Sequence, residues 1–382
     1  MIMFQLGIER IGEFEGVFRG KRLGLITSPS GTDTRLRSSA GLLRERFRLL
    51  ALYGPEHGVR GAADAGELVD EPPRDPRTGL PVYSLYRKDG QSLTAGMVAD
   101  VDALVYDIQD LGLRFYTYIS TLLGALRDCA RFQKELIVLD RPAPLGGAYV
   151  EGGLLRGGFE SFVGCCKIPI RYGLTAGEFA RMANVELGIR CALTVVPMSG
   201  WRRDFLFPEL GYPFLMPSPS IPNFHNAVLY AGTCLVEGTN LSEGRGTADP
   251  FALIGAPYVD ALRLCAAVEA LGLPGLIATP AYFTPTAGKH AGTPCQGVHL
   301  HLTYARCYPA VRAGVLLIDL VRSLWPDDFA FNPPQPGQSL PAIDLLSGSA
   351  ELREGRPVNA LLDEWEAESA AFQCRTETYY LY

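Results

Sequence analysis

Short apolar runs, each followed by a polar loop, recur through the first half of the chain, and this repetition constrains the fold most strongly. The runs carry apolar residues at successive positions instead of at every second one. Continuous runs of this kind are typical of strands that are covered on both faces of a sheet. The five runs lie at residues 22–27, 49–53, 103–107, 136–140 and 192–196.

Helical patterns alternate with these runs. Three stretches have helical character, at residues 38–47, 117–132 and 175–187, and the last begins with the capping-box pattern Thr175-x-x-Glu178. Regular alternation of strands and helices indicates a parallel sheet. We therefore predict an α/β fold with a Rossmann-like parallel sheet.

The loops that follow the predicted strands are polar, and most of them contain carboxylates. Ligands of open α/β sheets bind in the crevice beyond the carboxyl ends of the strands. Four such loops would meet at one edge of the sheet, and the sequence therefore predicts the functional site there. These loops occupy residues 28–31, 54–58, 107–110 and 140–142.

Length and charge narrow the function further. A chain of 382 residues is too long for one ordinary core, so we expect two packed lobes. The formal net charge is -6, and no basic run interleaves with aromatic residues, which argues against a nucleic-acid partner. An anionic substrate would need a few local Arg or Lys side chains.

The sequence gives no sign of a membrane or export segment. The first residues lack a charged stretch followed by an apolar run, and the apolar run at residues 315–318 is broken by Asp319. The nine cysteines are scattered without a CxxC pair, which favours free thiols in a reducing compartment. We expect a cytoplasmic protein, or an exported one if the N-terminus has been trimmed.

The second half has a different character. Residues 201–226 are rich in proline and aromatics and have no clear period, so we place a soft boundary near residues 200–228. This gives a Rossmann-like domain at residues 1–215 and a second α+β domain at residues 216–382. In the second domain we predict a strand at 298–302 and helices at 257–271, 310–324, 342–347 and 358–372.

The loop at residues 54–61 (GPEHGVRG) places Glu56 beside His57, with Arg60 close by. Flanking glycines let the backbone approach a ligand closely. A carboxyl at such a strand end is suited to general acid/base chemistry. The alternative interpretation is an ordinary polar turn.

The segment at residues 107–118 combines two acids, an amide, an arginine and tyrosines. Asp107 and Asp110 stand at the strand end, while Arg114 and Tyr116 lead into the next helix. A sugar site needs hydrogen-bonding groups with an aromatic platform, and this segment offers both. The alternative is a capped helix start in which Arg114 pairs with Asp110 at i,i+4 spacing.

The loop at residues 235–247 (LVEGTNLSEGRGT) is the most unusual stretch of the chain. It is too polar for a core and too rich in glycine for a stable helix. Arg245 between two glycines is suited to bidentate binding of a carboxylate. A plain surface loop is the alternative. The other polar candidates in this loop are Glu237, Asn240, Ser242 and Glu243.

Motifs for several other chemistries are missing. The sequence has no GxGxxG after its first strand, no P-loop and no Gly-x-Ser-x-Gly. His299 and His301 share one face of a predicted strand, a spacing that can bind a metal, but no third ligand is near in sequence. We expect structural histidines there, and neither a metal nor a cofactor.

Taken together, these motifs resemble the NamZ-type exo-β-N-acetylmuramidase family, long catalogued as a bacterial domain of unknown function. The resemblance covers nearly the whole chain, in order. The matching stretches are residues 24–31 (GLITSPSG), 54–61 (GPEHGVRG), 82–86 (VYSLY), 107–110 (DIQD), 114–118 (RFYTY), 139–142 (LDRP), 237–247 (EGTNLSEGRGT) and 283–286 (FTPT).

The resemblance implies hydrolysis of the β-1,4 bond after a non-reducing terminal N-acetylmuramic acid in peptidoglycan fragments. It also implies a Rossmann-like lobe and a second lobe with the active site in the cleft between them. In a cytoplasmic protein this activity would serve recycling of imported cell-wall fragments. The oligomeric state does not follow from the sequence.

Glycoside hydrolysis commonly needs two carboxyl groups. We expect Glu56 to be the acid and Glu243 the second carboxylate, with Asp107, Asp110 and Glu237 in reserve. Attack by the acetamido oxygen of the sugar itself is an open alternative. For substrate binding we expect Arg245 on the lactyl carboxylate, Arg114 as the runner-up, and contributions from His57, Arg60, Tyr116, Glu237, Asn240 and Ser242.

Two other functions stay open at this point. One is a non-hydrolytic muropeptide-binding protein that uses the same polar contacts and releases no sugar. The other is a metal-dependent hydrolase of another acidic sugar, with His57, His299 and His301 as ligands. A chelator would abolish the activity of the second and leave the muramidase unaffected.

Overall fold

The computed structural model of the protein describes residues 4–61, 63, 66, 68, 72–88 and 90–382. Two sheets organise these residues, one parallel and one antiparallel. The strands are β1 (Arg22–Thr27), β2 (Arg48–Gly54), β3 (Val82–Ser84), β4 (Ala103–Asp107), β5 (Glu135–Leu139), β6 (Ala192–Val196), β7 (Leu253–Ala256), β8 (Leu276–Phe283) and β9 (Cys295–Leu302).

Helices surround both sheets. The α-helices are α1 (Glu15–Phe18), α2 (Ser39–Arg46), α3 (Tyr118–Arg131), α4 (Ala176–Glu186), α5 (Phe224–Thr233), α6 (Ala261–Ala270), α7 (Ala310–Leu324), α8 (Ala342–Ser347) and α9 (Val358–Thr376). Short 3-10 helices cover Gly7–Arg10, Phe207–Leu210, Cys234–Gly238 and Glu377–Tyr379.

The first sheet has the strand order β3-β2-β1-β4-β5-β6, and its neighbouring strands all pair in parallel. This confirms the predicted Rossmann-like sheet. Successive residues of one strand enter two different cores: Leu104 and Tyr106 of β4 join the core under α3 and α4, whereas Val105 joins the core under α2. Burial on both faces explains why the strand sequences are continuously apolar.

Polar side chains fix the beginnings of several helices. The capping box predicted at the start of α4 is present, because the Thr175 side chain accepts a hydrogen bond from the Glu178 backbone N–H while the Glu178 carboxylate accepts one from the Thr175 backbone N–H. Ser38 caps α2 by accepting a hydrogen bond from the Gly41 backbone N–H. Asn223 caps α5, a helix that was not predicted and whose first residues lie at the end of the irregular segment 201–226. Such caps satisfy backbone N–H groups that a helix leaves unpaired.

The second sheet is antiparallel, with the order β7-β9-β8. Helices α5 and α7 pack against each other through a glycine pair: a Cβ on Gly232 would lie 1.9 Å from the Ala310 carbonyl oxygen. Gly314 meets the Gly232 backbone in the same way. The larger core runs without interruption from the parallel sheet into α5 and α7. Our predicted boundary at 215/216 lies in the connection between β6 and α5.

A buried ion pair joins the carboxyl ends of the central strands. Asp107, the last residue of β4, is fully buried and accepts hydrogen bonds from Arg141 Nε at 2.6 Å and Nη2 at 2.9 Å. Arg141 Nη2 also donates to the Thr32 carbonyl oxygen at 2.7 Å, and the Ser39 hydroxyl donates to Asp107. The loops after β1, β4 and β5 are thereby held together.

Within the described residues, no helix combines the length and the apolar character needed to cross a membrane.

Replacing Arg141 with Met should lower the free energy of unfolding by about 3–5 kcal/mol, because it leaves the Asp107 carboxylate buried without its partner. Urea unfolding measures this change. The matched control is Arg202→Met, which removes an exposed ion pair with Asp204 and should cost less than about 1 kcal/mol. Equal small losses in both variants would contradict a structural role for the buried pair.

Candidate active site

A pocket lies where the carboxyl edge of the parallel sheet meets the second half of the chain. Its wall combines the loop after β2, the start of α3, the connection before α5, and the loop that precedes β7. Both halves of the chain are therefore needed to form it. The lining residues are Glu56, His57, Phe115, Tyr116, Thr117, Val163, Ser218, Pro219, Ser220, Ile221, Tyr230, Cys234, Glu237, Arg245, Phe251 and Leu346.

The Glu56–His57 pair projects from a tight turn after β2. His57 has a positive φ of 71°, and Gly58 follows with 77°. Glu56 is buried, and its two carboxyl oxygens accept hydrogen bonds from the Gly66 backbone N–H at 2.8 Å and from the Thr117 hydroxyl. These two contacts fix the orientation of the carboxyl group at the pocket wall.

The His57 ring is held by its own loop. Its Nδ1 lies 2.8 Å from the Ala63 carbonyl oxygen, which identifies Nδ1 as the protonated nitrogen. The ring edge packs against Tyr118, with 6.4 Å between ring centroids. The pocket therefore meets a fixed imidazole whose Nε2 is the acceptor in the neutral form.

Aromatic rings form one wall of the pocket. Tyr230 stands at its centre, with ring centroids 5.3 Å from Phe115, 6.2 Å from Tyr116 and 4.6 Å from Phe251. The Tyr116 hydroxyl is buried beside Ser218 without a hydrogen bond of good geometry. This wall combines an apolar platform with a polar group that has capacity for a ligand.

Arg245 and Glu237 form the charged side of the pocket. Arg245 donates from Nε at 2.9 Å and from Nη2 at 2.6 Å to Glu237 Oε1, and from Nη1 at 2.6 Å to the Ser220 hydroxyl. Its guanidinium also lies 5.0 Å from the centre of the Phe251 ring. Burial raises the pKa of Glu237, Arg245 opposes this, and the nearby Glu243 adds to it.

Glu243 lies behind this pair and does not line the pocket. Its side chain is only 5% exposed, with Oε2 at 2.9 Å from Lys289 Nζ and Oε1 at 3.6 Å from Arg245 Nε. The carboxylate thus stands between two cations. Its predicted role as second catalytic carboxylate stays a prediction.

Asp107 and Asp110 are buried and do not line the pocket. Asp107 is held in the ion pair with Arg141. Asp110 accepts hydrogen bonds from the Gly112 N–H at 2.6 Å and from the Tyr172 hydroxyl. Burial raises the pKa of Asp110 to about 6.

The alternative interpretation of this segment, an ion pair between Asp110 and Arg114, is wrong. Arg114 is fully buried, and its guanidinium donates to the carbonyl oxygens of Gly153 at 2.7 Å, Ile168 at 2.8 Å and Leu346 at 3.0 Å. It ties three separated backbone segments together instead. The structure places it outside the pocket lining.

Three further predicted residues also lie away from the pocket. Arg60 pairs with Asp75 beside a neighbouring cavity that lies next to the loop after β1. The Asn240 side chain donates to the Asp328 carbonyl oxygen at 2.7 Å. Ser242 accepts a hydrogen bond from the Gly244 N–H at 3.1 Å. Their contacts shape the loops around the pocket.

The two histidines of the predicted strand do share one face of β9, with 4.1 Å between ring centroids. His299 Nε2 lies 2.7 Å from Asp249 Oδ2, and His301 Nε2 lies 2.8 Å from the Thr279 hydroxyl. Neither lines the pocket that contains His57. Among the residues that the structure describes, no group of three or more His, Cys, Asp or Glu is arranged to hold a metal.

Sequence reasoning missed Thr117, Ser220, Tyr230 and Phe251 as pocket residues. Ser220 lies in the Pro-rich segment 217–222, where its hydroxyl has no distinguishing local pattern. Tyr230 and Phe251 have the appearance of core residues, and both are buried. Lys289, which contacts Glu243, lies outside the pocket lining and was not predicted either.

Family models match the chain along most of its length. The model described as "Exo-beta-N-acetylmuramidase NamZ, N-terminal" matches residues 23–225, and the corresponding C-terminal model matches residues 228–382. The peptidoglycan β-N-acetylmuramidase NamZ of Bacillus subtilis (strain 168) is 41% identical over 385 residues, which cover 99% of this chain and 91% of that protein.

Two solved structures share the fold. Both are crystal structures of DUF1343 family proteins from Bacteroides fragilis NCTC 9343. The first has a TM-score of 0.91 at 38% identity and covers 100% of both chains. The second has a TM-score of 0.76 at 25% identity and covers 99% of both chains.

The raised pKa of Asp110 predicts a pH-dependent stability. The folded state holds this proton up to about pH 6, whereas the ordinary pKa of an Asp carboxyl is 3.8. The free energy of unfolding should therefore fall as the pH rises from 4 to 6, by about 3 kcal/mol relative to Asp110→Asn. Urea unfolding across this pH range checks it.

The control for this experiment is Asp363→Asn, which removes an exposed carboxyl on α9. Parallel stability curves for the wild-type protein and Asp110→Asn would contradict the prediction.

Proposed function

This chain belongs to the NamZ exo-β-N-acetylmuramidase family, and from that premise we propose that it is a glycoside hydrolase acting on peptidoglycan. It removes a non-reducing terminal N-acetylmuramic acid by hydrolysing the β-1,4 bond. The observation that carries the proposal is that the carboxyl of Glu56 and the guanidinium of Arg245 line one pocket. The first supplies a proton, and the second recognises an anionic sugar.

Glu56 is the proton-transferring group. The second carboxyl of the pocket lining, Glu237, is committed to Arg245 through two hydrogen bonds. Among the described residues, no Lys or Arg forms an ion pair with Glu56. The Glu56 carboxyl is instead contacted by neutral donors, the Gly66 N–H and the Thr117 hydroxyl, and no cation holds it away from a glycosidic oxygen. Glu56 is therefore the better general acid of the two.

Among the described residues that line the pocket, Glu56 is the one carboxyl that does not pair with a cation, and this favours participation of the substrate. The acetamido oxygen of the sugar attacks C1 while Glu56 protonates the glycosidic oxygen and the C1–O bond breaks. Water then adds to C1 as the Glu56 carboxylate takes its proton, and the acetamido group is restored. This substrate-assisted route is known among glycosidases and needs a single acid/base carboxyl.

Arg245 recognises the lactyl carboxylate that distinguishes muramic acid from glucosamine. A guanidinium has five N–H donors, and Glu237 and Ser220 occupy three of those of Arg245. The remaining donors suit a carboxylate. The aromatic wall around Tyr230 provides the apolar platform for the sugar ring, and the Tyr116 hydroxyl has capacity for a polar substituent.

The first experiment measures release of 4-nitrophenol from its β-N-acetylmuramic acid glycoside, beside the N-acetylglucosamine analogue. Cleavage of the muramic substrate alone, unchanged by a chelator, supports the proposal. Binding of the muramic compound without release would favour a muropeptide-binding protein instead. Loss of activity with a chelator would favour the metal-dependent alternative.

Replacing Glu56 with Gln should lower kcat by about 10²–10⁴-fold, because the amide transfers no proton at the glycosidic oxygen. The matched control is Glu366→Gln, an exposed glutamate of α9, which should keep the wild-type rate. Near-normal turnover of Glu56→Gln would show that the acid has been misassigned.

Replacing Arg245 with Gln should raise KM for the muramic substrate and lower its preference over the N-acetylglucosamine analogue by about 10–100-fold. The lost interaction is with a charged group that only the muramic substrate carries. Arg202→Gln, at an exposed arginine, controls for the change in net charge. An unchanged preference would remove Arg245 from substrate recognition.

A further inference from the structure

The Lys289 ammonium lies behind the pocket in a ring of oxygen atoms. It donates to the carbonyl oxygens of Val236 and Thr239 at 2.9 Å each, and it lies 3.4 Å from that of Glu237. Glu243 Oε2 completes the ring at 2.9 Å. These carbonyls end the 3-10 helix Cys234–Gly238, where unpaired acceptors attract a cation.

Other side chains hold the same turn. Asn332 Nδ2 donates to the carbonyl oxygens of Glu237 at 3.1 Å and Thr239 at 2.7 Å, and His290 Nε2 lies 2.7 Å from that of Asn240. Gly238 packs so closely that a Cβ there would lie 2.6 Å from the Ile343 backbone. The backbone that carries Glu237 is therefore fixed, and Lys289 supplies the charged contact.

Four charged groups alternate in sign from Lys289 to the pocket. Lys289 faces Glu243 at 2.9 Å, Glu243 faces Arg245 at 3.6 Å, and Arg245 faces Glu237 at 2.6 Å. Lys289 and Glu243 do not line the pocket, whereas Arg245 and Glu237 do. In a partly buried site, a missing member leaves its neighbour with an uncompensated charge.

We propose that Lys289 and Glu243 form a positioning pair for the Arg245–Glu237 ion pair: Lys289 holds the turn that carries Glu237, and Glu243 faces the Arg245 guanidinium that binds an anionic substrate. Neither residue of the pair touches the substrate. The proposal rests on the function proposed above in one respect, the binding of a substrate carboxylate by Arg245. It assigns to Glu243 the role of a counter-ion instead of a reacting group.

The charges around Glu237 make the pair's effect measurable. Burial raises the pKa of Glu237, Arg245 opposes the increase, Glu243 adds to it and Lys289 opposes it. Cys234, whose Sγ lies 3.8 Å from Glu237 Oε2, is a buried thiol with a raised pKa and stays neutral. The other titratable groups that line the same pocket are Glu56, His57, Tyr116 and Tyr230.

The test compares kcat and KM against pH for the wild-type enzyme, Lys289→Met, Glu243→Gln and the double variant, with the 4-nitrophenyl β-N-acetylmuramic acid glycoside. Lys289→Met should move the acidic limb of kcat/KM to higher pH, because Glu237 takes up a proton more readily and releases Arg245. KM at the acidic limb should rise about tenfold, with kcat within a few-fold of wild type.

Glu243→Gln should move the same limb to lower pH, and the double variant should return it toward the wild-type position. Opposite shifts that cancel are not expected from a general loss of packing. Lys289→Gln keeps a donor for the carbonyl ring without the charge, so it should reproduce the shift of Lys289→Met with less risk to folding. Thermal unfolding verifies that each variant is folded.

Two outcomes would overturn the proposal. One is an acidic limb that stays in place in every variant. The other is a loss of turnover of about 10³-fold in Glu243→Gln that the double variant does not recover, which would make Glu243 a reacting carboxylate. A wild-type enzyme that does not cleave the substrate would instead contradict the proposed function. A ¹³C NMR titration of the Glu237 carboxyl, assigned with Glu237→Gln, then tests the pair without a substrate.

Discussion

At the carboxyl edge of the parallel sheet, the Asp107–Arg141 ion pair holds together the loops that follow three neighbouring strands. The carboxylate ends β4, the guanidinium follows β5, and its third contact reaches the Thr32 carbonyl in the loop after β1. Both side chains are almost completely buried, so each depends on the other for compensation. Without this ion pair, buried polar groups of these loops would lack hydrogen-bond partners.

The pocket forms on this edge only because the second half of the chain closes it. Parallel strands direct Glu56 and the start of α3 toward one side, and the turn at Glu237 with the loop of Arg245 approaches from the other. The larger core continues from the sheet into α5 and α7, which fixes the two sides relative to each other. Each side of the pocket has its own proposed role. We assign proton transfer to the side that carries Glu56 and recognition of the anionic group to the side that carries Arg245.

Five of the six strands of the parallel sheet were predictable because apolar residues follow one another in their sequences, and β1, β4 and β6 begin and end where expected. The three-residue strand β3 was not predicted. β8 was not predictable in this way. It contains Pro280 and leaves Ile277 and Tyr282 exposed, so it lacks both a continuous and a strictly alternating pattern. Helix α5 begins inside a Pro-rich segment whose only signal was the Asn223 cap.

The candidate site was predictable as a set of loops but not as a set of contacts. Glu56 and Arg245 were selected because polar residues between glycines are hard to explain as core, and both line the pocket. Arg114 was selected because it follows the acids of a polar segment at a strand end, but it donates to backbone carbonyls of remote segments, which local sequence does not reveal. Lys289 was not predicted, because the carbonyl oxygens that it contacts lie far from it in the chain.

The most direct test of the roles assigned to Glu56 and Arg245 is a crystal structure of the Glu56→Gln variant with a disaccharide of N-acetylmuramic acid β-1,4-linked to N-acetylglucosamine. This assignment predicts the lactyl carboxylate within hydrogen-bond distance of the Arg245 guanidinium. It also predicts the glycosidic oxygen within reach of the residue 56 carboxamide, and the acetamido oxygen beneath C1. A disaccharide bound with its carboxylate away from Arg245, or with the glycosidic oxygen away from residue 56, would contradict it.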